Sequence, residues 1–352
     1  MKMRANHFNP SVIEALESRR LLSAVVSLSG SVLTITGDSR GQNVEIYDSY
    51  ASSVRQTLVS IDADGNGSFA DAGDTSRAIF VGVETLVTRL GLGDDRLSIT
   101  LADPFIGAKR SYDLKTGAGN DIVRFTNPVG NDIRNSKVAI KLDTAAGNDQ
   151  VTLALNRISA STLQASIDTG SGNDTLRLYG GDDVASATVD ITAQMGTGND
   201  FAETRLDMEG FDLVGASSVW KTNFFGGDGD DILSATGELG TGNVAGTLSM
   251  GLFGDVGNDQ INFALGSLTL QGGKLQLRGN GFSGNDRLSL SGNFSGNGVL
   301  DIILSGNGNS DILTVNANNT GNTGGAILDG GAGRDLATTA GTLVVQKIGI
   351  EG

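Results

Sequence analysis

Met250-Gly251-Leu252-Phe253-Gly254-Asp255-Val256-Gly257-Asn258-Asp259-Gln260-Ile261-Asn262-Phe263 decides how this chain folds. Apolar residues recur with period two at both ends, Met250 and Leu252 before the middle, Ile261 and Phe263 after it. Such alternation marks strands with one buried face. The middle is rich in Gly, Asn and Asp, which tolerate left-handed backbone and close turns. The stretch therefore reads as strand, corner, strand.

The same corner, loosely Gly-x-Gly-Asn-Asp, recurs down the chain. Its copies end at Asp95, Asp121, Asp149, Asp174, Asp200, Asp231, Asp259, Asp286, Asp311 and Asp335. Successive markers lie 24 to 31 residues apart, about 27 on average. Two and four places after the marker come apolar pairs such as Val123 and Phe125, Val151 and Leu153, Leu176 and Leu178. Seven and nine places before it come Leu142 and Ile140, or Leu304 and Ile302. A degenerate earlier corner, Gly37 to Asn43, puts Asn43 in the marker place. Periods of this length indicate stacked repeats. A sandwich of hairpins is the alternative, but it would favour two-residue Asn-Gly or Asp-Gly turns, which are rare here. In a solenoid each corner returns above the last at about 4.8 Å. The expectation is an all-β fold, a β-solenoid of the β-roll or parallel β-helix kind, with about 11 coils of two main strands.

Composition narrows the function. The 352 residues include 52 Gly, 3 Pro and no Cys, with a net charge of −15 and a pI near 4.4. That balance argues against nucleic acid and suits divalent cations. Without cysteine any metal must be held by oxygen. The sole histidine, His7, leaves the repeat body without histidine acid–base chemistry. No apolar run of 18 residues exists to span a membrane as a helix. We expect three regions: a leader over 1–24, β-rich coils over 25–90, and the corner-repeat solenoid over 91–352.

Two features suggest calcium. At the corners, Gly226-Gly227-Asp228-Gly229-Asp230-Asp231-Ile232 and Gly330-Gly331-Ala332-Gly333-Arg334-Asp335 resemble the RTX, or haemolysin-type, nonapeptide. The resemblance implies calcium held by turn carbonyls and aspartates, here Asp228 and the ten markers Asp95, Asp121, Asp149, Asp174, Asp200, Asp231, Asp259, Asp286, Asp311 and Asp335. The chain departs from that family in having one corner per 27 residues rather than one per nine, so at most one edge carries a ladder. The other reading is that each Asp accepts backbone amides and closes its turn. Stacked carboxylates without a cation repel one another. The second feature is Asp62-Ala63-Asp64-Gly65-Asn66-Gly67-Ser68-Phe69, which fits the first eight places of a calcium loop with Asp62, Asp64 and Asn66 as oxygens. Gly73 stands where the loop's glutamate belongs, flanked by Asp71 and Asp74, and Asp74 is the expected further ligand. The alternative is an acidic solvated loop. Flanking segments 58–61 and 78–81 read as strands, so we expect an EF-like loop on a β-excursion.

At the N-terminus, Ser11-Val12-Ile13-Glu14 has capping-box spacing and opens a short helical pattern. Leu16-Glu17-Ser18-Arg19-Arg20-Leu21-Leu22 resembles the LEPR-XLL motif of planctomycete exported proteins, with Ser18 where that family has proline. The resemblance implies a secreted or cell-surface protein. Catalysis is not expected. Trp220 is the only tryptophan, and Lys141, Arg157, Arg177, Arg205 and Lys221 occupy different coils without shared register. The longest repeat, between Asp200 and Asp231, is where a grafted site would lie, although a packed Trp220 is the plainer reading. The expected function is a non-catalytic structural or adhesive protein, partnered by calcium ions and by surface polymers or other surface proteins. The alternative is a polysaccharide lyase- or epimerase-like β-helix acting on acidic glycans.

Overall fold

The computed structural model describes residues 24–51, 54–71, 73–207, 210–237 and 240–351. The expected leader helix and LEPR-like motif lie outside them. Among the described residues every regular element is a strand, and none is a helix able to cross a membrane.

The chain winds into a β-solenoid of about ten coils. One coil runs Lys137–Asp143, the 144–149 corner, Gln150–Leu155, the short Ile158–Ser159, then back to Thr162–Asp168. Each strand pairs in parallel with its counterpart one coil away: Lys137 with Thr162, Gln150 with Thr175, Ile158 with Val184. The first strands of the coils form one sheet face (the first sheet). The strands after the corner form a second.

The coil differs from expectation in having a third short strand, seen at Phe105–Ile106, Ile133–Arg134, Ile158–Ser159 and Val184–Ala185. In later coils it merges with its predecessor, as in Gln260–Leu270, whose register shifts between Ala264 and Ser267.

The alternating apolar residues all face inward. Val123, Phe125, Val151, Leu153, Leu176 and Leu178 line the second sheet's inner side, and Ile140, Leu142, Met250, Leu252, Ile302 and Leu304 the first sheet's. All belong to one continuous core cluster. Trp220 is part of it, meeting Phe211 edge to face at 5.2 Å. Burying a Val, Leu or Phe contributes about 1.5–3 kcal/mol, so each added coil stabilises itself against its neighbour.

The N-terminal end breaks the parallel rule. Val25–Ser29 pairs antiparallel with Val32–Thr36, which begins the first sheet. Asn43–Ala51 begins the second, and Val54–Asp62 and Thr75–Val81 add antiparallel to it. Asp62 ends the first of those two strands and the loop between them carries Asp64, Asn66 and Asp74, so the β-excursion is as expected. The first corner's marker place belongs to Gln42, not Asn43: Asn43 stands opposite Arg96, and Gln42 opposite Asp95.

Candidate functional site

Each corner is tied to its neighbours by two rows of side chains running in opposite senses. The inner row consists of Asp95, Asp121, Asp149, Asp174, Asp200, Asp231, Asp259, Asp286, Asp311 and Asp335, each 0–2% exposed. Its Oδ1 atoms accept the backbone amide of the preceding coil's marker, from Gln42 N–H onto Asp95 through to Asp311 N–H onto Asp335, all at 2.7–2.8 Å. The outer, exposed row is Asp94, Asn120, Asn148, Asn173, Asn199, Asp230, Asn258 and Asn285. Here the side-chain oxygen accepts the amide of the following coil at 2.7–3.1 Å. Every Asn-Asp pair thus links one coil up and one coil down. The amides taken are those of neighbouring coils, 24 or more residues away in sequence, so these bonds tie coil to coil rather than closing each turn on itself.

Glycine holds the place two before the marker in nine of the ten corners, Asn309 taking it before Asp311 with φ 77°. Gly147, Gly172 and Gly198 have φ of 145°, 133° and 136°. A Cβ there would overlap the carbonyl oxygen of the corner one coil below, for example that of Gly147 beneath Gly172. The corners stack backbone on backbone, and only hydrogen fits between.

The second carboxylate oxygen of the inner row is less well served. Among the described residues, Oδ2 of all ten markers is buried without a hydrogen-bond partner. In the later coils it lies over a glycine: a Cβ on Gly254, Gly281 or Gly306 would overlap the Oδ2 of Asp259, Asp286 or Asp311. Burial is the main cause that raises the carboxyls of the nine markers from Asp95 to Asp311. It is offset in part by the donated amides and, at Asp121, Asp149 and Asp174, by a threonine hydroxyl, and augmented at several of them by neighbouring aspartates. Asp95 rises to about 8, Asp200, Asp231 and Asp259 to about 7, and Asp149 and Asp311 to about 6. A buried carboxylate oxygen without a donor needs a proton or a cation. Asp228 stands apart from the row, exposed on the outer side of its corner.

The acidic loop gathers its residues more tightly. Carboxylate oxygens of Asp62, Asp64 and Asp74 lie within 4.8 Å of one another. Asp62 is fully buried and accepts the amides of Asn66 at 3.2 Å and Gly67 at 2.7 Å. Asp74 accepts those of Ala63 at 3.0 Å and Asp71 at 2.8 Å. The loop therefore curls around its own acids. Asn66 Oδ1 accepts the Ser68 amide, and its Nδ2 donates to Asp64 and Asp71. Asp71 joins as that partner.

A second buried group escaped sequence reasoning. Arg110 Nη2 meets Asp48 Oδ1 at 2.7 Å and Tyr112 O–H donates to Asp48 Oδ2 at 2.6 Å, all inside the core between the sheets. Thr57 adds a hydroxyl to Asp48 at 2.8 Å. The only linear signal is phase, because Asp48 and Arg110 occupy inward positions next to Ile46 and Tyr112 in their strands. The Lys and Arg positions weighed from the sequence stand in separate columns, Lys141 in line with Ser166, Lys221 with Asp190, Arg177 with Glu203 and Arg205 with Tyr179, whereas Lys109 and Lys137 share one. Lys141 and Lys221 lie on the outer side of the first sheet, together with Lys109 and Lys137, while Arg177 and Arg205 lie on the second.

Comparison with known protein families, with characterised proteins and with solved structures finds no match to this chain.

Proposed function

We propose that this is a non-catalytic extracellular or cell-surface rod, structural or adhesive in role and stabilised by calcium. The observation that carries the reading is where repetition falls. The inner aspartates, corner glycines and inward apolar residues recur coil after coil. The outward places do not: the column holding Lys141 reads Val87, Asp113, Lys141, Ser166, Thr192, Asn223, Gly251, Arg278. Selection for regular stacking produces that division.

Calcium is assigned first to Asp62, Asp64 and Asp74, three hard oxygen donors already gathered, the chemistry this ion takes. The corner row is the second place, where a cation would take the position of the missing donor at Oδ2, as the RTX resemblance implies. Bound calcium would supply charge neutralisation; the chain's own carboxylates and amides fix the loop and corner shapes. Outside a cell, where calcium is millimolar, weak sites stabilise the folded state by mass action. Export fits the LEPR-like segment at 16–22. Thermal melting followed by circular dichroism tests the reading. Added calcium should raise the melting temperature and a chelator should lower it. An unchanged melt, or turnover of a uronate polymer, would overturn it.

A further inference from the structure

On the outer face of the first sheet, most cations are matched to an acid one coil away. Arg89 pairs with Asp113 at 2.6 Å, Lys115 with Asp143 at 2.6 Å, Lys221 with Asp190 at 3.5 Å, and Lys274 and Arg278 with Asp301 at 3.0 and 2.6 Å. Lys109, Lys137 and Lys141 break the rule. All three are exposed, and among the described residues none makes an ion pair or hydrogen bond through its side chain. Lys109 and Lys137 are moreover directly opposite each other on adjacent parallel strands, about 4.8 Å apart. Like charges so placed are destabilising, in a chain whose net charge is −15.

These lysines border a trough. Ser111, Ala139 and Gln164 stand in one register on neighbouring strands and form its floor. Two adjoining hollows of about 380 and 510 Å³ share that floor. Lys109 and Lys137 lie along one side with Glu84, Lys141 along the other with Asp113, and Lys221 and Asp190 at the far end. Short side chains in the middle column make it low, and its hydroxyl and amide groups can donate and accept.

We propose that this trough binds an acidic polysaccharide lying along the rod axis, its carboxylates meeting Lys109, Lys137 and Lys141 and its hydroxyls meeting Ser111 and Gln164. Two of the acids bordering the trough are matched, Asp113 to Arg89 and Asp190 to Lys221. Three lysines against Glu84 therefore leave a net positive charge that selects an anion, and a polar, open floor running across several coils suits an extended polyhydroxylated chain. Nucleic acid fits less well: beyond the trough the protein is acidic, and Tyr112, an aromatic residue among those lining the two hollows, has its ring buried in the core against Phe125, out of reach of a base. This inference deepens the surface-rod reading by naming what the rod holds.

The test is titration calorimetry with a short oligogalacturonate in low-salt buffer containing chelator, so that calcium cannot bridge the sugar. Melting curves in the same buffer establish that each variant is folded. Wild-type binding should weaken about tenfold in Lys109→Gln/Lys137→Gln and again in Lys141→Gln, and disappear at high salt. Arg287→Gln, the same charge change as Lys141→Gln but on the second sheet, should alter affinity less than twofold. Equal binding by the folded double variant, equal binding of neutral dextran, or tighter lysine-dependent binding of a single-stranded DNA oligomer would each overturn the proposal. Absent binding with a calcium-dependent melt intact removes the trough and leaves the rod. Turnover of the oligomer removes the non-catalytic reading and leaves the trough.

Discussion

Raising the pH in calcium-free buffer should weaken this protein. Six inner-row carboxyls are held at about 6 to 8, against an ordinary aspartate near 3.9. Below about pH 4 both the folded and the unfolded chain carry these protons, and their contribution is full. Between pH 4 and 8 the unfolded chain releases them first, so the folded state binds more protons and stability falls as pH rises. One pKa unit is worth about 1.4 kcal/mol. Counting a single unit at each of the six groups, well under the shift at any of them, gives a loss of ~8 kcal/mol between pH 5 and 9. Unfolding entropy near 2.1 cal/mol/K per residue makes that a fall of roughly 10 °C in melting temperature for a chain of 352 residues. The assay is a chelator-buffered thermal melt at pH 5, 7 and 9, repeated with calcium. If a cation takes the proton's place at Oδ2, calcium should blunt the fall at pH 9. A chelated melt that stays level or rises from pH 5 to 9 would refute the buried-carboxyl account.

Other outcomes follow from single positions. Gly172→Ala meets both a φ of 133° and the Gly147 carbonyl; it should cost more than ~2 kcal/mol in urea unfolding. Ala145 is a left-handed alanine, φ 69°, at a place where most coils have glycine. Ala145→Gly should therefore be neutral or stabilise by up to ~1 kcal/mol in the same assay. Asp48→Ala strands Arg110 and should cost about 3–5 kcal/mol; Asp48→Leu with Arg110→Met should recover much of the loss. Asp62→Asn with Asp64→Asn should remove the calcium-dependent part of the melt attributable to the loop.

The parts legible in the sequence are those governed by short periods. Val151 and Leu153 flag a buried strand face because alternation needs only neighbours along the chain. Gly147-Asn148-Asp149 flags a corner because those residue types answer to local backbone geometry. The strand at Ile158–Ser159 is too short to show any period. Gln42 was misplaced by one residue because the degenerate first corner carries an Asn at its edge, and only pairing with Asp95 settles the register. The calcium-loop pattern brought Asp62, Asp64 and Asp74 together, but could not foresee that Asn66 would spend its amide on Asp71. Asp48 and Arg110 meet across 62 residues, which no local pattern encodes. The lysine trough was readable in principle: Lys109 and Lys137 each stand 12 places before their markers, Asp121 and Asp149. Counting back from the marker recovers what coils of unequal length conceal.

The central claim, a rod stabilised by calcium, meets its most direct test in a crystal structure grown with calcium and phased for its anomalous signal. The account predicts a peak among Asp62, Asp64 and Asp74, with oxygens at about 2.3–2.6 Å, and further peaks only along the inner aspartate row. A calcium-soaked crystal with no peak at the loop or along the row would contradict it.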